Sequence, residues 1–229
     1  MSTPFYAIIV AGGSGSRMQT SRPKQFITIG GLPVLMHTVR RFYDFSPDVS
    51  LILVLPEKDI LTWQNLCKEY SFNLPVIIVL GGATRFHSVQ NGLSAILGND
   101  GIVAIHDGVR PFVSQETIRK SFEVAKKKGS AVAVTPLKDS IRMLTDKKSH
   151  SVNRNNYCLV QTPQTFQVKL IKQSYALAKD PAPFTDDASV AENAGFEISL
   201  IEGSYQNIKI TSPEYLIWAE AFLTKHTAF

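Results

Sequence analysis

The chain carries two cysteines in 229 residues, Cys67 and Cys158, and they lack the close pairing of a metal-ligand motif. Two cysteines are too few for a disulfide framework, and the pair suits a reducing compartment. No apolar run approaches the roughly 20 residues that span a bilayer, and no charged N-terminal region precedes a long apolar stretch. The expectation is a soluble, cytoplasmic protein that is not exported. A dense basic track is missing too. The net charge is +5, from 24 basic and 19 acidic residues. Lys126-Lys127-Lys128 falls late in an expected helix, where cations favour the dipole and face water. That balance suits a small anionic ligand and argues against a nucleic-acid partner. Two familiar phosphate signatures are absent. G-x-G-x-x-G starting at Gly13 would need glycine where Met18 stands, and no Gly-Lys-Ser/Thr closes a P-loop. Internal repeats and low-complexity segments are not found.

What remains is Ala11-Gly12-Gly13-Ser14-Gly15-Ser16-Arg17-Met18, followed closely by Pro23-Lys24-Gln25-Phe26. Glycines let main-chain N–H groups face an anion without a Cβ in the way, and Arg17 and Lys24 supply countercharge. Glycine and serine alone would mark only a surface turn. With the two cations, the segment reads as a cradle for a nucleotide's phosphates.

At 44% hydrophobic content the chain can bury a sizeable core, and residues 1–229 read as one domain. Five short apolar runs recur at Ala7–Val10, Leu51–Leu55, Val76–Leu80, Ile102–Ile105 and Ala131–Val134. Continuous apolarity predicts strands buried on both faces, as in a parallel sheet covered by helices. Three- and four-residue apolar steps predict helices at Pro33–Tyr43, Lys58–Tyr70, Thr84–Leu97 and Gln115–Lys127. Ligands of such sheets bind beyond the carboxyl ends of the strands. The loops after three runs are rich in chemistry: the glycine turn, Gly81-Gly82-Ala83-Thr84-Arg85, and His106-Asp107-Gly108-Val109-Arg110-Pro111. Residues 138–160 alternate polar and apolar around Asp146-Lys147-Lys148-Ser149, which predicts a two-stranded arm whose second strand ends near Tyr157–Val160. An isolated ribbon is marginal in water, so it calls for a partner subunit. Helices near Val168–Ala178, Asp186–Ala194 and Pro213–Thr224 and a strand at Glu197–Ile201 complete the reading.

Taken together, AGGSGSRMQTSRPKQF, GGATRFHSVQNGL, HDGVRP, QTPQTF, TDDA and NIKIT resemble the bacterial 2-C-methyl-D-erythritol 4-phosphate cytidylyltransferases, in order and spacing, over residues 7–220. The resemblance implies a three-layer α/β/α nucleotidyltransferase sandwich, Rossmann-like, with a mostly parallel mixed sheet and a projecting β-arm. It implies transfer of CMP from CTP to the sugar-alcohol phosphate with release of pyrophosphate, in a homodimer that exchanges arms. Magnesium is implied as well, held mainly by the CTP phosphates, with no dedicated protein ligands. By similarity, Arg17, Lys24 and Lys209 are the catalytic cations. Ala11, Gly12, Gly13, Gly15, Gly82 and Ser88 would bind the nucleotide, and Asp107, Arg110, Ser140, Arg154 and Thr185 the acceptor, with Ser140 and Arg154 acting across the dimer. Ser140 stands where the family usually carries threonine, and the hydroxyl is retained.

Plainer readings accompany several of these. Ser88 fits an ordinary polar helix position, and Arg85 faces either phosphate or solvent. Asp107 and Arg110 can pair with each other. Thr185 reads as a helix N-cap. His106 reads as structural, since a phosphate monoester is already ionised and needs no general base. Ribitol-5-phosphate cytidylyltransferases share most of these motifs and are the nearest alternative. A non-catalytic nucleotide-binding module is a more distant one.

Overall fold

The computed structural model describes residues 3–12, 23–146, 148–178 and 184–227. Gly13, Gly15 and Arg17 lie outside the described residues. The chain begins with β1 (Phe5–Val10) and, after a 3-10 turn at Lys24–Phe26, forms a small ribbon of β2 (Thr28–Ile29) and β3 (Leu32–Pro33). There follow α1 (Val34–Phe45), β4 (Ser50–Leu55), α2 (Glu57–Glu69), β5 (Val76–Leu80), α3 (Arg85–Ser94), β6 (Ile102–Asp107), α4 (Gln115–Lys128) and β7 (Ser130–Pro136). Next come β8 (Arg142–Leu144), β9 (Ser149–Ser151), β10 (Cys158–Gln167), α5 (Val168–Leu177), α6 (Asp187–Asn193), β11 (Leu200–Glu202) and α7 (Pro213–Thr227). Among the described residues no helix is long and apolar enough to cross a membrane.

The central sheet runs in the order β11-β7-β10-β6-β1-β4-β5. Strand β1 pairs in parallel with both β4 and β6, while β10 lies antiparallel between β6 and β7. The alternation of side chains across each strand divides the core into two layers. Ala7, Ile9, Leu51, Leu53 and Ala104 face one hydrophobic cluster, and Ile8, Ile52, Val54, Val103 and Ile105 face the other. Both faces of the central strands are therefore covered, and that burial is why they read as unbroken apolar runs; β5 departs from the expectation of two-sided burial, since it lies at the sheet edge with Ile77 and Leu80 52% and 53% exposed. In the first cluster Phe122 of α4 stacks on Phe5 and Phe45, with ring centroids 4.7 and 5.4 Å apart. Truncating it to alanine should cost about 3–5 kcal/mol of stability.

Helix ends follow local chemistry. The Ser114 hydroxyl accepts from Thr117 N–H at the start of α4, Glu116 sits in its first turn, and Lys126, Lys127 and Lys128 close the last turn. Helix α6 corrects one expectation. Its N-cap is Asp186, whose carboxylate accepts from Ser189 N–H at 2.9 Å, and not Thr185.

The arm also differs from its expected extent. The ribbon consists of β8 and β9 alone, paired Arg142 to Ser151 through Leu144 to Ser149. Residues 158–167 are not its second strand's end and sequel but β10, a ten-residue strand of the main sheet. The apolar signal failed there because Gln161, Thr162, Gln164 and Thr165 are buried polar residues, each matched to a hydrogen-bond partner inside the protein.

Candidate active site

The order of strands turns around at β1, which has β4 on one side and β6 on the other, and in such sheets ligands bind beyond the carboxyl ends of the strands at that point. Two glycines let the walls approach. A Cβ at Gly108 would stand 2.9 Å from Ala11 Cβ, and one at Gly82 would overlap His87 Cβ and lie 3.0 Å from its carbonyl carbon. The three loops singled out from the sequence converge here. A cleft of about 250 Å³ is lined by Ala11 and Gly12 after β1, Gly82 to Arg85 after β5, Asp107 at the end of β6, and Lys24, Ser88 and Lys209.

The wall of the first cleft is held by its own network. Gln25 Nε2 donates to Ala11 O at 3.2 Å and to Asp59 Oδ2 at 3.0 Å, which ties the end of β1 to the first turn of α2. Burial pushes the Asp59 carboxyl above its usual value, against the opposing pull of Lys58 and Gln25. Ser88 is nearly enclosed. Its hydroxyl donates to Thr84 O at 2.9 Å and accepts from Gly82 N–H at 3.1 Å. Ser88 thus shapes the Gly82 loop from beneath, a task the helix pattern did not reveal.

A second cleft, about 230 Å³, lies on the other side of the same wall. It is lined by Arg110, Thr185 and Asp186 and by Gln161, Thr162 and Gln164 of β10, and Arg85, Asp107 and Lys209 belong to both clefts. The register of β10 shifts between Val160 and Gln164, which breaks the ladder where this wall forms. The freed groups are bonded to the loops around them. Thr162 Oγ1 accepts from Asp107 N–H at 3.1 Å, Gln164 Nε2 donates to Asp186 Oδ2 at 2.9 Å, and Asn207 Nδ2 donates to Thr162 O at 2.8 Å. Lys209 is fixed from both sides along the chain, by Arg110 Nη1 donating to Asn207 O and by Ile210 N–H donating to Val109 O.

At the junction, Asp107 is only 7% exposed and faces three cations. Arg110 Nε and Lys209 Nζ lie 3.0 and 3.1 Å from Oδ2, and Arg85 Nε lies 3.9 Å from Oδ1. Burial pushes the carboxyl up, but Lys209, Arg85 and Arg110 outweigh it and hold Asp107 well below the usual carboxylate range. The pairing of Asp107 with Arg110 is real, and it sits inside the site. Arg85, left open between phosphate and solvent, faces neither alone. Its guanidinium forms a forked pair with buried Asp187, 102 residues away. His106, fully buried, lines neither cleft. Burial lowers it to about 4, against the opposing hydrogen bond to Arg110 O, so it is neutral near pH 7.

Ser140 and Arg154 are exposed and do not line these clefts within one chain. Arg154 turns back and donates to Lys138 O at the base of the arm. The sequence reading missed Gln25, Thr162, Gln164 and Asn207 as builders of the site, since neutral amides and hydroxyls give no charge signal. All four do lie within the quoted motifs, Asn207 as the first residue of NIKIT. The arrangement can hold one anionic reactant in each cleft and bring both to Lys209, with glycine and alanine giving the first cleft part of its wall and polar side chains most of the second.

Comparison with known proteins agrees over nearly the whole chain. Residues 5–225 match the family model of 2-C-methyl-D-erythritol 4-phosphate cytidylyltransferase. The enzyme of that name from Phocaeicola vulgatus is 48% identical over 218 residues, covering 95% of this chain and 99% of the relative. The Bacteroides fragilis enzyme is likewise 48% identical, over 217 residues covering 95% and 98%. Among solved structures, 4-diphosphocytidyl-2C-methyl-D-erythritol synthase from Anaerococcus prevotii superposes with a TM-score of 0.82 at 30% identity, covering 97% of this chain and 99% of that one.

Proposed function

Since the chain belongs to the 2-C-methyl-D-erythritol 4-phosphate cytidylyltransferase family and transfers CMP from CTP to that acceptor in isoprenoid biosynthesis, we propose that its two clefts divide the two substrates. CTP occupies the first cleft, with cytosine and ribose against the main chain at Ala11, Gly12 and Gly82. Gly13, Gly15, Arg17 and Lys24 cradle the triphosphate. The acceptor occupies the second cleft, against Asp107, Arg110 and Thr185. Its phosphate oxygen attacks the α-phosphorus in line, the bond to pyrophosphate breaks, and pyrophosphate departs. Charge builds on the equatorial oxygens and on the leaving group. Lys209, Lys24 and Arg17 stabilise that charge, and positioning does most of the remaining work.

The observation that carries this reading is that Lys209 and Asp107 line both clefts, so the α-phosphate and the attacking oxygen have a common meeting point. No general base enters, which accords with a neutral His106 outside both clefts. Magnesium would neutralise the triphosphate. Asp107, the carboxylate at the junction, already faces Arg110 and Lys209 on one oxygen and Arg85 on the other. That donor set favours phosphate oxygens as the metal's ligands.

The active unit in this reading is a cytoplasmic homodimer. Met143 and Leu144 of the ribbon are 53% and 79% exposed, and Tyr157, Leu159 and Val160 beside it are also open. Such a surface is suited to a neighbouring subunit. Ser140 and Arg154 then reach the neighbour's acceptor cleft. The test is pyrophosphate release from CTP and magnesium with methylerythritol phosphate and ribitol 5-phosphate offered in parallel. A strong preference for the first supports this acceptor cleft. A preference for ribitol phosphate reassigns its ligand, and silence with both removes the assignment of the clefts.

A further inference from the structure

Arg85 belongs to the wall between the clefts, yet its guanidinium is committed elsewhere. Nη1 donates to Asp187 Oδ1 at 3.0 Å, Nη2 donates to Asp187 Oδ2 at 2.6 Å, and Tyr175 Oη donates to Asp187 Oδ1 at 2.6 Å. Asp187 and Tyr175 are buried, and the Tyr175 ring stacks on Phe86 with centroids 4.6 Å apart. A forked pair fixes the plane of a guanidinium as well as its position, so Arg85 cannot follow a ligand without breaking two charged hydrogen bonds. Its Nε edge is thereby left facing Asp107. Lys209 is the opposite kind of cation, a point charge on a flexible stem, 42% exposed and held to Asp107 at its ammonium end.

The reaction places a conflicting demand on Lys209. At rest its ammonium neutralises Asp107, and in the reaction it must serve phosphate oxygens. A buried carboxylate that loses a cation becomes costly unless another charge remains beside it. Arg110 stays, itself anchored to Asn207 O, and so does Arg85. We propose that Arg85 is a positioning residue, the standing counter-ion of Asp107, pinned by Asp187 and Tyr175 so that Lys209 is free to turn from Asp107 to the phosphates. This rests on the two-cleft reading above. Arg85 acts through Asp107 and Lys209, so its loss should slow turnover more than it weakens binding of either substrate.

A double-mutant cycle on the full chain tests it, with kcat and KM measured for both substrates and a thermal melt for each variant. Arg85→Gln should lower kcat about tenfold with both KM values within roughly threefold of wild type. In an Asp107→Asn background the same change should cost less than about threefold, because the carboxylate that restrains Lys209 is gone. Tyr175→Phe, which removes one hydroxyl and leaves the forked pair, should lower kcat a few-fold in the same pattern. If Arg85→Gln does not fold, Tyr175→Phe carries the cycle. Equal losses in both backgrounds overturn the proposal, as does an effect confined to KM, which would make Arg85 a direct ligand contact. Wild-type protein inactive with CTP and methylerythritol phosphate would overturn the functional reading itself, and the proposal with it.

Discussion

The two clefts share three residues and are otherwise made of different material. The first has a stretch of small residues, Ala11, Gly12, Gly82 and Ala83, beside Lys24, Gln25, Thr84 and Ser88. The second is walled mostly by polar side chains, Arg110, Gln161, Thr162, Gln164, Thr185 and Asp186, with Gln164 donating to Asp186 and Asn207 donating to Thr162 O. A base and ribose can be read by donors and acceptors that the backbone always carries, provided glycine lets them close. A small polyol phosphate offers hydroxyls and charge in a particular arrangement, and matching them takes side chains. In the proposed reading the second is completed by Ser140 and Arg154, which are exposed on the arm and line neither cleft within one chain.

Substitutions that separate the clefts should give different kinetic signatures. The largest effect is expected on the nucleotide side. Lys24→Ala, and likewise Arg17→Ala, should lower kcat about 10²–10³-fold with an unchanged melting temperature and little change in the KM for methylerythritol phosphate. Near-normal turnover in either would remove it from the catalytic set. On the acceptor side, Arg154→Ala should raise the KM for methylerythritol phosphate on the order of 10–100-fold and leave that for CTP nearly constant. Mixing Arg154→Ala with Lys24→Ala subunits sharpens the contrast. If each site draws its arm from the neighbour, half the sites of a mixed dimer are intact, so an equal mixture should recover roughly a quarter of wild-type activity. Verified mixed dimers with no recovery would mean the arm does not cross.

Smaller effects are expected from groups that support the walls. Ser88→Ala removes the hydroxyl between Gly82 N–H and Thr84 O, worth about 1 kcal/mol, and should raise the KM for CTP roughly fivefold without altering the acceptor's. An equal change in both KM values would show that the clefts are not separable there. His106 should affect stability and not chemistry. Its pKa is lowered from 6.5 to about 4, so between those values the unfolded chain takes up a proton that the folded chain refuses. Stability should therefore fall as pH drops from 6.5 to about 4, by at most about 3 kcal/mol. Asp107, with its pKa depressed in the folded state, adds a further loss only below the ordinary carboxylate range. Urea unfolding of His106→Gln at several pH values in this window should show a flatter slope, and an unchanged slope would assign the acid sensitivity to another group.

The same contrast in material explains what the sequence disclosed. Strands β1, β4, β6 and β7 were legible because both faces are buried in apolar clusters, and the edge strand β5 because it is apolar throughout although Ile77 and Leu80 stay half exposed; the loops were legible because a parallel sheet presents its ligands at one end. The glycines and cations from Gly12 to Lys24 stand close together in the chain, which made that segment legible. Strand β10 was hidden, because the part of it that walls the second cleft is built from buried glutamine and threonine, which give no apolar signal. The partner of Arg85 was hidden by distance: nothing local to Arg85 points to Asp187, which only the packing of α3 near α6 brings within reach. The N-cap of α6 was misread by one residue because Thr185 and Asp186 are both good caps, and the choice between them is made by Ser189 N–H.

The most direct test is the structure of the protein with CTP, magnesium and methylerythritol phosphate bound. The two-cleft account predicts cytosine between Gly12 and Gly82, the triphosphate along Lys24, and the acceptor phosphate against Arg110 with a neighbour's Arg154 beside it. Lys209 should have left Asp107 for the α-phosphate. CTP lying in the cleft formed by Gln161, Thr162 and Gln164, or both ligands bound with Lys209 still on Asp107, would contradict it.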